Sequence, residues 1–221
     1  MAGPATLGTP HPAVENRVIR VDITSKYFGE QQVLGPVRFD IRPGETVALL
    51  GPSGIGKSTI LRIMVGIDTR FEGTVTRPDD MAIVFQEPTL LPWRSALDNL
   101  LIARPTLGAD AARAALARVG LSGRDDAFPG QLSLGQQRRL SLARAFAGSP
   151  EFLVMDEPFV SLDPEMAEQM LALTEALITE AKPATLFVTH ARAEADRLAD
   201  RTLVLSGKPA TLQEEAAEHG V

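Results

Sequence analysis

Between the apolar run Val47-Ala48-Leu49-Leu50 and a helix-forming stretch from Lys57 to Val65 lies Gly51-Pro52-Ser53-Gly54-Ile55-Gly56-Lys57-Ser58-Thr59. These nine residues satisfy the pattern G-x-x-x-x-G-K-[S/T], and no other feature constrains the fold as tightly. A glycine-rich turn lets backbone N–H groups converge on phosphate oxygens with no Cβ atom in the way, and the helix behind it adds the positive end of its dipole. All nine positions are candidate contacts to a phosphate chain. Lys57 supplies a cation for the outer phosphates, and Ser58 offers its hydroxyl to Mg²⁺, an ion that keeps several waters and asks for few protein ligands.

The rest of the chain repeats the strand-then-helix alternation that such a loop requires. Ala82 to Phe85, Phe152 to Met155, Leu186 to Val188 and Leu203 to Leu205 are short, nearly continuous apolar runs, as expected of strands buried on both faces. Helical stretches fall at Ala109 to Val119, Gln136 to Ala147 and Pro164 to Ala181. The expected fold is α/β, a mostly parallel sheet with crossover helices. Ile19, Val21 and Ile23, and then Val37, Phe39 and Ile41, alternate with polar residues and predict an antiparallel β edge. From about 95 to 148 no strand candidate appears, which reads as an inserted helical subdomain. Residues 1–16 carry Pro4, Pro10 and Pro12 without hydrophobic period and read as a flexible arm, leaving 17–221 as one domain.

Composition narrows the function. A formal charge of −6 argues against a nucleic-acid-coating protein, which gathers phosphate affinity from excess Lys and Arg. The absence of Cys removes disulfides, thiolate zinc sites and thiol nucleophiles, and fits the cytoplasm. No run approaches the roughly 18 apolar residues that span a bilayer, and Met1 to Pro4 begins no signal peptide, so a membrane role must come through a partner.

Phe152-Leu153-Val154-Met155-Asp156-Glu157 ends a buried strand in two adjacent carboxylates, at the sheet edge where open α/β folds bind ligands. Strand alternation sends successive side chains to opposite faces and suggests a division of labour. Asp156 would orient Mg²⁺, and Glu157 would activate the attacking water.

Between the loop and this strand stands Gln131-Leu132-Ser133-Leu134-Gly135-Gln136-Gln137-Arg138-Arg139, with Ser133 lying 23 residues before Asp156. Here the chain resembles the ABC ATPase family, whose signature motif reads Leu-Ser-Gly-Gly-Gln. Ser133 also suits an N-cap. The resemblance implies that Ser133, Gly135 and Gln136 contact the ATP of a second protomer, most simply a second copy, and that Leu134, standing where the family has glycine, points away from the nucleotide. It implies further that Gln86 is the Q-loop glutamine touching Mg²⁺ and the attacking water, and that Ser161-Leu162-Asp163 is a D-loop reaching the partner's site. Asp163 reads equally as the N-cap of the helix opened by Pro164. His190 resembles the switch histidine at the γ-phosphate; His11 and His219 have no comparable place. Phe28, 23 residues before Gly51, matches the aromatic that stacks on adenine, with Tyr27 as its rival.

The expectation is therefore an ATPase with catalytic Lys57, Gln86, Glu157 and His190, and with Mg²⁺ at Ser58, Gln86 and Asp156. It would work peripherally on the cytoplasmic face of a membrane, with transmembrane permease subunits and a periplasmic or extracellular binding protein. Phe85-Gln86-Glu87-Pro88 through Leu91-Pro92-Trp93 resembles ATPases of nitrate, sulfonate and taurine importers, although a lipid-extraction or cell-division complex would share the catalytic residues. The apolar residues around Trp93 mark either a permease contact or the lobe's own core. After Leu205 only a short tail is expected.

Overall fold

The computed structural model describes residues 18–214; the arm expected over 1–16, and His11 and His219, lie outside them. The apolar runs do form parallel strands. β4 (Thr46–Leu50), β6 (Met81–Val84), β7 (Phe152–Asp156), β8 (Ala184–Thr189), β9 (Arg201–Ser206) and β10 (Thr211–Glu214) build a six-stranded sheet in the order β10-β9-β4-β8-β7-β6. All its pairings are parallel except β10 with β9. The sheet is apolar on both faces because each side carries a core. Val47 and Leu49 of β4, and Phe152 and Val154 of β7, pack into one cluster, whereas Ala48, Leu50, Leu153 and Met155 pack into the other. Continuous apolar runs without alternation follow from that double burial.

The first cluster is closed by a second, antiparallel sheet. β1 (Ile19–Phe28) is its central strand, with β3 (Val37–Ile41) in register from Ile19↔Ile41 to Ile23↔Val37. β2 (Gln31–Leu34) and β5 (Glu72–Thr76) also pair with β1. The antiparallel strands expected at an edge thus form a layer of their own.

The other face carries helices α2 (Ala96–Ala103), α3 (Ala109–Arg118), α4 (Leu134–Phe146) and α5 (Pro164–Ala181). Between β6 and β7 the described chain holds helices and a 3-10 turn at Pro129–Gln131, and no strand. Ser95, Ser133 and Asp163 cap α2, α4 and α5, accepting from Asp98, Gln136 and Met166 N–H groups at 3.1, 3.3 and 3.0 Å. Helix α1 (Lys57–Met64) differs: its N-cap, Gly56, offers no side chain, so no cap side chain takes up the N–H groups of Lys57 and Ser58 at the glycine loop, while Thr59 N–H donates to the Gly56 carbonyl at 3.1 Å. α6 (Arg192–Leu198) joins β8 to β9. The tail expected after Leu205 is corrected, because Thr211–Glu214 pairs along β9 as an edge strand.

Candidate functional site

A cavity of about 340 Å³ opens over the N-terminus of α1, lined by Phe28, Val33, Ser53, Gly54, Gly56, Lys57, Ser58, Thr59 and Glu157. Two glycines of the loop are sterically required. At Gly56, φ is 118°, and a Cβ would stand 2.8 Å from Cδ2 of Leu34, which is fully buried. At Gly51 a Cβ would meet the Leu205 carbonyl oxygen at 2.8 Å.

Lys57 is buried, and its Nζ donates to the carbonyls of Gly51 at 2.7 Å and Pro52 at 3.1 Å. It also lies 3.4 Å from Glu157 Oε1, while Glu157 Oε2 lies 3.4 Å from Nδ1 of the half-exposed His190. Ser58 Oγ donates to Asp156 Oδ1 at 3.4 Å. Burial pushes the Asp156 carboxyl above its ordinary value; the Ser58 hydrogen bond opposes this, the neighbouring Glu157 charge reinforces it, and Lys57 and Arg62 oppose it. The turn carrying His190 is pinned by Thr189, whose Oγ1 donates to Glu194 at 2.5 Å and accepts from Ala191 N–H at 3.0 Å.

Glu157 does not continue the strand alternation expected of it. β7 ends at Asp156, and Glu157 sits in the left-handed region at φ 46°, its N–H donating to the Val188 carbonyl at 2.9 Å. The two carboxylates reach the same site because the backbone turns between them, not because a strand separates their faces.

Ser58 and Asp156 present two hard oxygens, and among the described residues no group of three His, Cys, Asp or Glu gathers as a metal cage. That donor set suits a cation that retains much of its water, as Mg²⁺ does.

Phe28 lines the cavity and Tyr27 does not, although the two are 51% and 49% exposed. Beneath Phe28 lies Lys26, which the sequence did not flag. Its Nζ stands 4.6 Å from the ring centroid, pairs with Asp68 at 2.6 Å and donates to the Arg70 carbonyl at 2.7 Å. Gln86, exposed just beyond β6, does not line the cavity. Ser133, Gly135, Gln136 and Asp163 are outside it too, and instead organise helix starts. Ser133 and Gln136 form a reciprocal capping box, and a Cβ on Gly135 would meet the flexible end of the Met166 side chain of α5, with Cε at 2.6 Å. Leu134 is 53% exposed and Trp93 68%, so Trp93 does not fill the lobe's core; Leu90 does pack against it. Two arginines of α4, Arg138 and Arg144, bind the loops after Glu157 and Gln86. In sequence they look like ordinary helix-surface residues.

The family model described as ABC transporter matches residues 34–160. The chain is 47% identical over 195 residues to the aliphatic sulfonates import ATP-binding protein SsuB of Mycobacterium sp. (strain MCS), covering 86% of this chain and 80% of that protein. It is 44% identical over 195 residues to SsuB 2 of Rhodococcus jostii (strain RHA1), covering 87% and 80%. Among solved structures, an inward-facing metal-chelate type ABC transporter superposes with a TM-score of 0.78 at 26% identity, covering 90% of this chain and 84% of that one.

Proposed function

The chain belongs to the ABC transporter family as an ATP-binding, ATP-hydrolysing subunit, and from that premise we propose that the transporter it powers imports a small oxyanion of the sulfonate type, with this subunit on the cytoplasmic face of the membrane. As such a subunit it associates with membrane permease subunits and with a second ATPase protomer; that the second protomer is another copy of this chain, and that a binding protein delivers the cargo, are part of the proposal. No helix among the described residues is long and apolar enough to cross a membrane.

One observation carries the site reading: Lys57, Glu157 and His190 converge at 3.4 Å spacings around the glycine loop, while the exposed Ser133 end of α4 stands apart from that cavity. The loop from Gly51 to Thr59 wraps the phosphate chain with those of its N–H groups that have no internal acceptor, Pro52 having none, and Lys57 exchanges two neutral carbonyl partners for charged phosphate oxygens. Phe28 stacks on the adenine. Ser58 and Asp156, with Gln86 by the family resemblance, would hold Mg²⁺, which would supply charge neutralisation for phosphoryl transfer. Glu157 orients the attacking water and accepts its proton, and His190 steadies Glu157 from its Oε2 side. Ser133, Gly135, Gln136 and Asp163 complete the site of the other protomer, so the γ-phosphate binds a closed dimer more tightly than an open one and hydrolysis shifts the population back.

Complementation tests this arrangement. Lys57→Ala and Ser133→Arg each abolish turnover, but a mixed dimer retains one site with neither defect. Mixing equal amounts should therefore recover about a quarter of the wild-type rate, from random pairing in a symmetric dimer. Mixed dimers that form and show no recovery would overturn the shared-site reading. The cargo is tested separately: in proteoliposomes with the permease and binding protein, an alkanesulfonate should stimulate hydrolysis, and the absence of any response to sulfonates would refute the proposed cargo.

A further inference from the structure

We propose that Arg138 and Arg144, two positioning residues on α4, hold the backbone segments that follow Glu157 and Gln86 in strained conformations, so that the helix beginning at Ser133 sets the geometry of both catalytic segments. This deepens the site reading above and rests on it for the roles of Glu157 and Gln86.

The contacts are specific. Arg138 donates from Nη1 to the Pro158 carbonyl at 2.8 Å and from Nη2 to the Val160 carbonyl at 3.1 Å. Arg144 donates from Nη1 to the Thr89 carbonyl at 2.8 Å, and from Nη2 to the Pro88 carbonyl and to Thr89 Oγ1, both at 3.1 Å. Neither guanidinium pairs with a carboxylate among the described residues, and burial lowers the pKa of both. A cation facing only neutral dipoles gains little Coulombic stabilisation for its desolvation. What a guanidinium provides that a neutral side chain does not is a planar fork that fixes two carbonyls together.

The clamped segments are the strained ones. Five non-glycine residues among those described have φ in the left-handed region, and three of them, Thr89 at 44°, Glu157 at 46° and Ser161 at 62°, lie in or directly beside the residues these arginines hold. L-residues adopt that region at a cost and keep it where the surroundings over-determine it. Arg144 binds Thr89 itself. Arg138 holds the two carbonyls that stand between Glu157 and Ser161, and Phe159 between them is anchored edge-on to Phe187 at 5.9 Å. Helix α4, of 13 residues and about 20 Å at 1.5 Å rise, is the rigid body common to both clamps and to Ser133.

The test uses Arg138→Lys and Arg144→Lys in the full chain, with Arg138→Gln should the lysine not fold. Lysine keeps the charge and loses the fork. ATP affinity, read with a non-hydrolysable analogue, should stay within about threefold, whereas kcat should fall about tenfold, because the loss lies in holding the catalytic arrangement rather than in binding. Amide exchange should rise at residues 86–91 for Arg144→Lys and at 157–162 for Arg138→Lys. Adding Thr89→Gly to Arg144→Lys should recover much of kcat, since glycine takes the left-handed conformation unaided. Ser141→Ala, which removes an unpartnered buried hydroxyl from the same helix, should leave these readouts at wild type. A purely structural tie would lower the melting temperature without changing kcat per folded molecule and without rescue by Thr89→Gly; that result, or unchanged exchange in both segments, overturns the proposal. If the wild-type protein fails to hydrolyse ATP, the site reading falls, and the exchange data still decide the arginines' role.

Discussion

Phe28→Ala tests the proposed adenine contact, because the structure supplies a matched control one residue away. A phenylalanine carries about 200 Å² of surface, and at 51% exposure roughly 100 Å² remains for a base to cover. A flat base covers one face of the ring, about 50 Å², and loses a similar area itself; at about 25 cal/mol/Å² this gives an upper value of roughly 2.5 kcal/mol. Base–aromatic stacking of about 1–3 kcal/mol brackets that figure, and about 2 kcal/mol corresponds to a thirtyfold rise in Kd. Tyr27 exposes nearly the same fraction but does not line the cavity, so Tyr27→Ala should leave the affinity unchanged. The assay is displacement of a fluorescent nucleotide by ATP, followed by turnover at saturating ATP. Stacking remote from the γ-phosphate is equal in ground and transition states, so KM should rise while kcat holds. A larger loss from Tyr27→Ala than from Phe28→Ala, or a fall in kcat at constant KM, would refute the assignment.

Glu157→Gln keeps the shape of the side chain and removes its basicity, so steady-state hydrolysis should fall by about a hundredfold or more while ATP binding persists and the dimer stays closed by size-exclusion chromatography. Unchanged turnover would remove Glu157 from the mechanism. Gly56→Ala forces an L-residue to φ 118° and drives its Cβ toward buried Leu34; a cost of about 2 kcal/mol should lower the melting temperature by roughly 4–8 °C and abolish ATP binding, and a stable ATP-binding variant would contradict the steric argument. Asp156 has a folded pKa raised by burial first and by the Glu157 charge second. Its protonated form is therefore favoured in the fold: its contribution to stability is fully present below the unfolded value near 3.9 and is lost as pH rises through the raised folded value. In the proposed role of Asp156, Mg²⁺ binds its carboxylate form, so calorimetry should detect proton release on Mg-nucleotide binding at mildly acid pH, absent in Asp156→Asn. A midpoint at or below the ordinary aspartate value would be the wrong sign.

Much of this fold was legible because its strands are buried on both faces and its site begins with a loop whose chemistry fixes its residues. What stayed hidden has specific causes. β5 is exposed along most of its length, and β2 and β10 are four-residue edge strands, so none shows a hydrophobic period. α6 buries only Ala195 in seven residues. The second half of β1 escaped notice because Ser25 and Lys26 are polar yet buried, Lys26 being balanced by Asp68 across 42 positions of sequence. For the same reason, charge read as exposure, Arg138 and Arg144 gave no signal in the sequence. The turn at Glu157 is a further case: strand alternation assumes extended backbone, and Glu157 has already left it.

The two readings of Ser133, helix cap and ATP ligand, are compatible on chemical grounds. A hydroxyl has one hydrogen to donate and two lone pairs, and the cap consumes a lone pair by accepting from Gln136 N–H at 3.3 Å. Its hydrogen remains available to a phosphate oxygen of another molecule. The N–H groups of Leu134 and Gly135 lie in the first turn of α4, where no intrahelical acceptor exists, and point the helix's positive end the same way. Asp163 repeats the pattern, with Oδ1 receiving Met166 N–H at 3.0 Å and Oδ2 left for a further donor. Capping thus fixes the rotamers before a partner arrives, and the ordering cost that a flexible ligand side chain would bring to the interface is already met within the fold. The exposed Leu134 at the same helix end adds apolar surface beside these donors, where closure against a second protomer would remove it from water.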